Sequence, residues 1–149
     1  MIIREYEDRD LEEVYSLASS TFEEGYRPEV FSFFHMAWRE GQLVIESLDG
    51  HLRGFIFGVL GEDRTARVTL LAVHPRFRGM GFGSRLLHEF ETRAALAGCK
   101  IITLESRASK ERLLSFYRKQ GFEVVGLLPH YYINGEDGLL MKKRIQLNI

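Results

Sequence analysis

The sequence predicts an α/β protein of the α+β kind, with helices layered on one mixed, mostly antiparallel sheet. Three observations carry that prediction. Segments of helical period alternate with short apolar runs of strand length, and Asp49-Gly50 separates two such runs as a tight hairpin turn would. A strand, a glycine-rich corner, a helix and a second strand then follow one another from "ARVTLLAV" to "KIITLE", the arrangement of a parallel β-α-β crossover. The expected order is β-α-α-β-β-β-α-β-α-β-β, seven strands and four helices.

"IIREY" opens the chain as an edge strand. Asp8 or Asp10 caps the first helix, Asp10 with Glu13 having capping-box spacing, and Leu11, Val14, Leu17 and Ala18 form its apolar face. Pro28 suits the first turn of a second helix with the stripe Val30, Phe33, Phe34, Ala37 and Trp38, stopped by Gly41. "QLVIESL" and "HLRGFIFGVL" are the hairpin strands, and "ARVTLLAV" is the next. Phe82, Leu86, Leu87, Phe90, Ala94 and Ala97 recur at helical spacing until Gly98. After "KIITLE", Ser109 caps a helix with Leu113, Leu114, Phe116 and Tyr117 apolar and Gly121 beyond its end. "FEVVGLL" and "GLLMKKRI" are the last strands.

With 149 residues and 45% apolar side chains the chain fits one domain over residues 1–149. Twenty basic against 21 acidic groups leave a net charge of −1, which argues against nucleic acid or a membrane as the main partner. Cys99 is the only cysteine, and no apolar run approaches a membrane span, so a cytoplasmic location is expected. "HEFET" from His88 fails the HExxH zinc pattern because Thr92 stands where the second histidine belongs, and no metal is expected.

The stretch "AVHPRFRGMGFGSRLL" concentrates chemistry at one corner. Gly79, Gly81 and Gly83 strip side chains from a helix entrance, exposing amides that the helix itself leaves without acceptors. The helix dipole adds partial positive charge there, and Arg76, Arg78 and Arg85 add full charges, so the corner suits a phosphate. No lysine follows as a Walker loop requires. The spacing G-x-G-x-G, with Ser84 in the third place, departs from the dinucleotide fingerprint, although Glu105 lies near where the ribose-binding acid would fall.

Arg78-Gly79-Met80-Gly81-Phe82-Gly83 resembles the R/Q-x-x-G-x-G/A signature of the GCN5-related N-acetyltransferases. "LLAVHP", "LESRAS", "SFYRKQGF" and "HYYINGED" resemble, in order, the subgroup that acetylates protein N-termini: the ribosomal-protein alanine acetyltransferases and the Ard1-type enzymes. The resemblance spans essentially the whole chain. It implies acetyl-coenzyme A as co-substrate, its pyrophosphate on the amides of Arg78, Gly79, Met80, Gly81, Phe82, Gly83 and Ser84, and its pantetheine arm beside Leu71, Ala72 and Val73 in the manner of an added strand. The Val73 amide would polarise the thioester carbonyl.

By the same resemblance Glu105 accepts the amine proton, through water, and Tyr117 protonates the departing sulfur. Lys110 stands where similar enzymes commonly have asparagine against the coenzyme arm, and its ammonium is expected to reach a coenzyme phosphate instead. Tyr131 and Tyr132 match a tyrosine pair that holds the peptide backbone. Phe22, Glu24 and Tyr26, in the loop between the first helices, are candidates for the pocket of the first side chain. The activity implied is acetylation of a protein or peptide N-terminus in a ternary complex, by a monomer or weak homodimer with or without ribosome association. Alternatives are acetylation of a lysine side chain, polyamine or other small amine, a non-catalytic coenzyme A-sensing module and, more distantly, a dinucleotide-binding oxidoreductase.

Overall fold

The structure, a computed structural model, describes residues 1–146. The strands are β1 (Ile2–Glu5), β2 (Leu43–Glu46), β3 (Leu52–Leu60), β4 (Thr65–Val73), β5 (Ile101–Arg107), β6 (Glu123–Leu128) and β7 (Gly138–Arg144); the helices are α1 (Leu11–Thr21), α2 (Pro28–Ala37), α3 (Phe82–Leu96) and α4 (Glu111–Lys119). The strands form one sheet in the order β1-β2-β3-β4-β5-β7-β6. Every neighbouring pair is antiparallel except β4 and β5, which the α3 crossover joins in parallel. The expected element order is the observed one.

Helices cover both faces. Val14 and Leu17 of α1 and Phe31 of α2 pack with Tyr6, Val44, Phe55, Phe57, Leu70 and Ala72 on one face. Leu86, Leu87 and Phe90 of α3 and Leu114 and Tyr117 of α4 pack with Ile45, Ile56, Ile102, Leu104 and Met141 on the other. The alternation of Leu43, Val44 and Ile45 between the two cores follows from the two-residue repeat of a strand.

A bulge in β4 decides which way the later residues face. Phe57 pairs with Leu70 and Gly58 with Val68, leaving Thr69 as the extra residue, its hydroxyl donating to the Phe57 carbonyl at 3.0 Å. Before the bulge Ala66 and Val68 face α3; after it Leu70 and Ala72 face α1 and α2, while Leu71 and Val73 turn to α3. Opposite the bulge, the buried Gln42 side chain stands in for a strand residue: it accepts from the Gly58 amide at 2.9 Å and donates to the Gly58 carbonyl at 2.7 Å. A Cβ at Gly58 would lie 2.5 Å from Phe90 and 2.4 Å from the Arg67 carbonyl, so only glycine fits.

Several local expectations are corrected. Asp10 occupies the N-cap position of α1 but its side chain makes no capping bond there; it closes a 3-10 turn at Asp8–Asp10, its carboxylate accepting from the Glu7 amide at 2.8 Å and from two nitrogens of Arg4, both at 2.8 Å. Those partners lie upstream, so the box is formed with Glu7 and not with Glu13. The α2 stripe is turned: Phe31 is fully buried edge-on to Phe57, whereas Phe33 is 64% exposed. Trp38 lies past the end of α2 and packs on Phe90 in the opposite core, and Gly41 ends a separate 3-10 turn at Arg39–Gly41. Ser109 does not cap α4; Lys110 occupies the cap position without a side-chain bond, and the Ser109 hydroxyl donates to Glu136. Leu113 is exposed, whereas Leu114 and Tyr117 are buried. No helix among the described residues is long and apolar enough to cross a membrane.

Candidate active site

β4 and β5 pair only from Thr65 to Arg67 against Ile101 to Thr103, although the strands continue to Val73 and Arg107. They separate beyond that point and leave a seam in the sheet. The His74 amide donates to the Arg53 carbonyl at 2.8 Å, which fixes the alternation: Ala72 and Leu70 point their backbone groups at β3, and Leu71 and Val73 point theirs into the seam. Of those groups the Val73 carbonyl accepts from Arg78 Nε at 3.1 Å. The amides of Leu71 and Val73 have no strand to receive them among the described residues, an edge suited to an extended ligand.

The glycine corner lies at the end of the same strand. Gly79 has φ 77° and Gly81 φ 85°, with nothing within 4 Å of a built Cβ, so it is the left-handed backbone that requires glycine. Gly81 occupies the α3 cap position without a side chain, and Arg85 is the first residue whose amide reaches back, to Gly81 at 3.1 Å. The amides of Phe82, Gly83 and Ser84 therefore lack acceptors within the helix. Gly83 sits 3.4 Å from Phe116 by its built Cβ, which brings the helix entrance against α4. Phe82 is buried and offers only its backbone, Met80 is exposed, and the Ser84 hydroxyl accepts from Gln120 Nε2 at 2.7 Å. This arrangement fits a coenzyme A molecule, with amides for the pyrophosphate at one end and an unpaired strand edge leading from it into the sheet.

The remaining candidates lie on the two faces of the sheet, Tyr117 on the side of α3 and α4 and the others on the opposite side. Tyr117 is buried beside Phe116 and Phe122, with ring centroids at 5.3 and 5.7 Å. Burial pushes its phenol far above the ordinary value, and Tyr132 adds to the shift, so Tyr117 keeps its proton at neutral pH. Glu105 alternates with Leu104 and Ser106 and so faces away from α4; Arg67 Nε donates to its carboxylate at 2.9 Å. The same guanidinium donates through Nη2 to the Tyr131 hydroxyl at 3.3 Å. Burial raises the Tyr26 phenol, which also lies within the field of Glu24 and Arg67. Phe22 packs edge-on against Tyr26, with centroids 5.8 Å apart.

Sequence reasoning assigned no role to Arg107, yet it organises the side opposite Tyr117. Nη2 donates to Glu24 at 2.8 Å in the α1–α2 loop, and Nη1 donates to Glu136 at 3.2 Å in the β6–β7 loop. Its guanidinium lies 4.1 Å from the ring centre of Tyr132, and that ring meets Tyr131 edge-on at 5.1 Å. Glu24 is thus committed to Arg107 rather than free to attract an ammonium group. Burial, opposed by Arg107, pushes the Tyr132 phenol up to about 12. Alternation along "TLESR" places Arg107 on the face of Glu105, the one sequence signal that could have found it. Lys110 stands at the start of α4, its amide donating to the Arg107 carbonyl at 3.2 Å and its side chain making no capping bond.

The acetyltransferase (GNAT) family model matches residues 11–122. An uncharacterized N-acetyltransferase of Methanocaldococcus jannaschii is 33% identical over 97% of this chain and 92% of its own length. A putative ribosomal protein bS18-alanine N-acetyltransferase of Bacillus subtilis is 30% identical over 93% and 92%. Among solved structures, Ard1 from Thermoplasma volcanium superposes with a TM-score of 0.93 at 32% identity, covering 98% of both chains. The match over residues 11–122 and the relative 33% identical over nearly the whole chain show that this chain belongs to the GNAT family of acetyltransferases.

Proposed function

We propose that the protein transfers acetyl from acetyl-coenzyme A to the α-amine of a protein or peptide N-terminus, by direct attack in a ternary complex in the cytoplasm. The observation that carries this reading is the convergence of Tyr131, Tyr132, Glu105 and the α1–α2 loop on the seam, opposite the face that bears Tyr117. The similarity to a bS18-alanine N-acetyltransferase supports the same acceptor class.

Bound acetyl-coenzyme A supplies the activated acetyl thioester. The backbone amides from Arg78 to Ser84 hold its phosphates, and Leu71 and Val73 orient its arm. The Val73 N–H stabilises negative charge developing on the acyl oxygen. Glu105, through water, takes the proton of the attacking amine. An α-amine has a reference pKa of about 7.7–8.0 against about 10.4 for lysine, so a weak base suffices. Tyr117, held protonated by burial, supplies the proton to the leaving sulfur. Cys99 is no rival nucleophile, because it is buried and burial raises its thiol pKa.

A thiol-release screen with acetyl-coenzyme A tests the reading, using short peptides varied in their first two residues, spermidine, and an N-terminally blocked lysine peptide. Free N-termini are expected to turn over. Turnover of the blocked peptide or of spermidine alone would replace the acceptor class.

A further inference from the structure

Arg67 is the last residue of β4 to pair with β5, so its side chain stands where the seam begins. Tyr131 of the β6–β7 loop and Tyr26 of the α1–α2 loop both lie within its electrostatic reach. It therefore forms the floor between the two loops that flank the acceptor side. Of its three nitrogens, Nε is bonded to Glu105 and Nη2 to Tyr131, and Nη1 has no hydrogen-bond partner among the described residues.

The exposures separate the roles of the pair. The Glu105 side chain is 16% exposed and its charge is met by Arg67, whereas the Arg67 side chain is 44% exposed. Arg107, a second guanidinium on this face, is 12% exposed and is bracketed by Glu24 and Glu136, with Glu23 at 3.7 Å. Arg67 thus offers an incoming molecule a half-exposed guanidinium at the start of the seam, whereas surplus negative charge lies around Arg107. A guanidinium with an unused donor edge binds a carboxylate and repels a second cation.

We infer that Arg67 is a specificity-determining residue that reads the charge of the acceptor beside its reacting amine, favouring acceptors with a carboxylate there and disfavouring those with a second cation. This rests on the reading that the acceptor enters between the two loops. Glu105 keeps its partner while the Nη1 edge is used, so recognition of the acceptor and orientation of the carboxylate share one side chain without competing for the same nitrogen.

Peptides differing only in Asp, Ala or Lys at residue two, and a second set varied at residue three, are compared by kcat/KM in wild type, Arg67→Gln and Arg67→Glu. In one of the sets the wild type is expected to favour Asp over Lys about fivefold or more, the scale of a partly shielded charge pair. Arg67→Gln brings that ratio near one and Arg67→Glu inverts it. Loss of the hold on Glu105 slows all peptides alike, so the ratio isolates the charge reading. The same ranking in Arg67→Gln as in wild type overturns the inference. Where a variant fails to fold, the wild-type ratio is followed from about 0.05 to 1 M salt, over which the screening length falls from above 10 Å to about 3 Å; a ratio indifferent to salt overturns it as well. Should wild type acetylate only small amines, the N-terminal reading falls separately. The inference is then read on amines, with Arg67→Glu expected to improve spermidine relative to a monoamine, and an unmoved ranking overturning it.

Discussion

On the proposed reading, much of the chemistry rests on one proton at Tyr117. Its ring is fixed between Phe116 and Phe122, and burial keeps the phenol protonated well past neutral pH. Tyr117→Phe preserves the packing and removes only the donor. Turnover is expected to drop on the order of 10²-fold while coenzyme affinity, measured by calorimetry, stays within about twofold. Unchanged turnover would strip Tyr117 of the acid role. Because its pKa is raised, the proton is lost only above the ordinary phenol range, and no decline in kcat between pH 7 and 9 should trace to this group. Its burial on α4 was legible in the sequence from the apolar spacing of the helix, and its proposed role only from the resemblance carried by "SFYRKQGF". The pairing of Glu105 was not: Arg67 lies 38 residues away, and only the short parallel register of β4 and β5 brings the two together.

At the scale of elements, the proposed acceptor side is two loops tied to the end of one strand. Arg107 bonds Glu24 in residues 22–27 and Glu136 in residues 129–137, and stacks on Tyr132 of the second loop. Arg107→Met removes every one of these bonds while leaving a side chain of similar reach. Peptide KM should rise about tenfold or more, with kcat falling less and coenzyme affinity unmoved, since two ordered walls of the acceptor channel are lost together. Hydrogen exchange should quicken in both loops at once; acceleration in only one would show that they are held independently. Arg107→Lys keeps the charge but not the fork, and should recover only part of the loss. Helices and strands were legible here from period and turn residues, with errors of a particular kind. "VFSFF" offers apolar residues on adjacent faces, so the side buried by α2 is settled by whichever ring meets Phe55 and Phe57, and that ring is Phe31. The bulge at Thr69 left no mark in the pattern, because "VTLLAV" is apolar on both faces; yet the bulge is what turns Leu71 and Val73 toward α3.

Across the whole molecule, the sheet is opened at its centre by the seam, and the strands beyond β4 depend on α3, α4 and the short register with β5 for their place. The opposite edge is fastened differently. Arg4 on β1 donates twice to Asp10 and once to Glu46 on β2, joining the first strand, the turn into α1 and the second strand. Burial works against the charge of Asp10, but the Arg4 bonds and the Glu7 amide outweigh it and hold the carboxyl below the ordinary aspartate value. The sign follows from linkage: a carboxyl whose folded pKa lies below its unfolded one stabilises the fold above the unfolded value, and that contribution vanishes as pH falls through the folded one. Asp10→Asn should therefore cost on the order of 2–3 kcal/mol at pH 7, because Arg4 keeps its burial and loses its main partner. That is a fall in Tm of roughly 5–10 °C for a chain of this size. As pH falls through the lowered folded value the wild-type group is itself protonated, and the two melting temperatures should converge. A difference that stayed constant as pH fell from 7 to well below the ordinary aspartate range would mean that Asp10 acts through the shape of its hydrogen bond to Glu7 and not through its charge, and the first strand would then be held by its pairing with β2 and the Arg4–Glu46 bond.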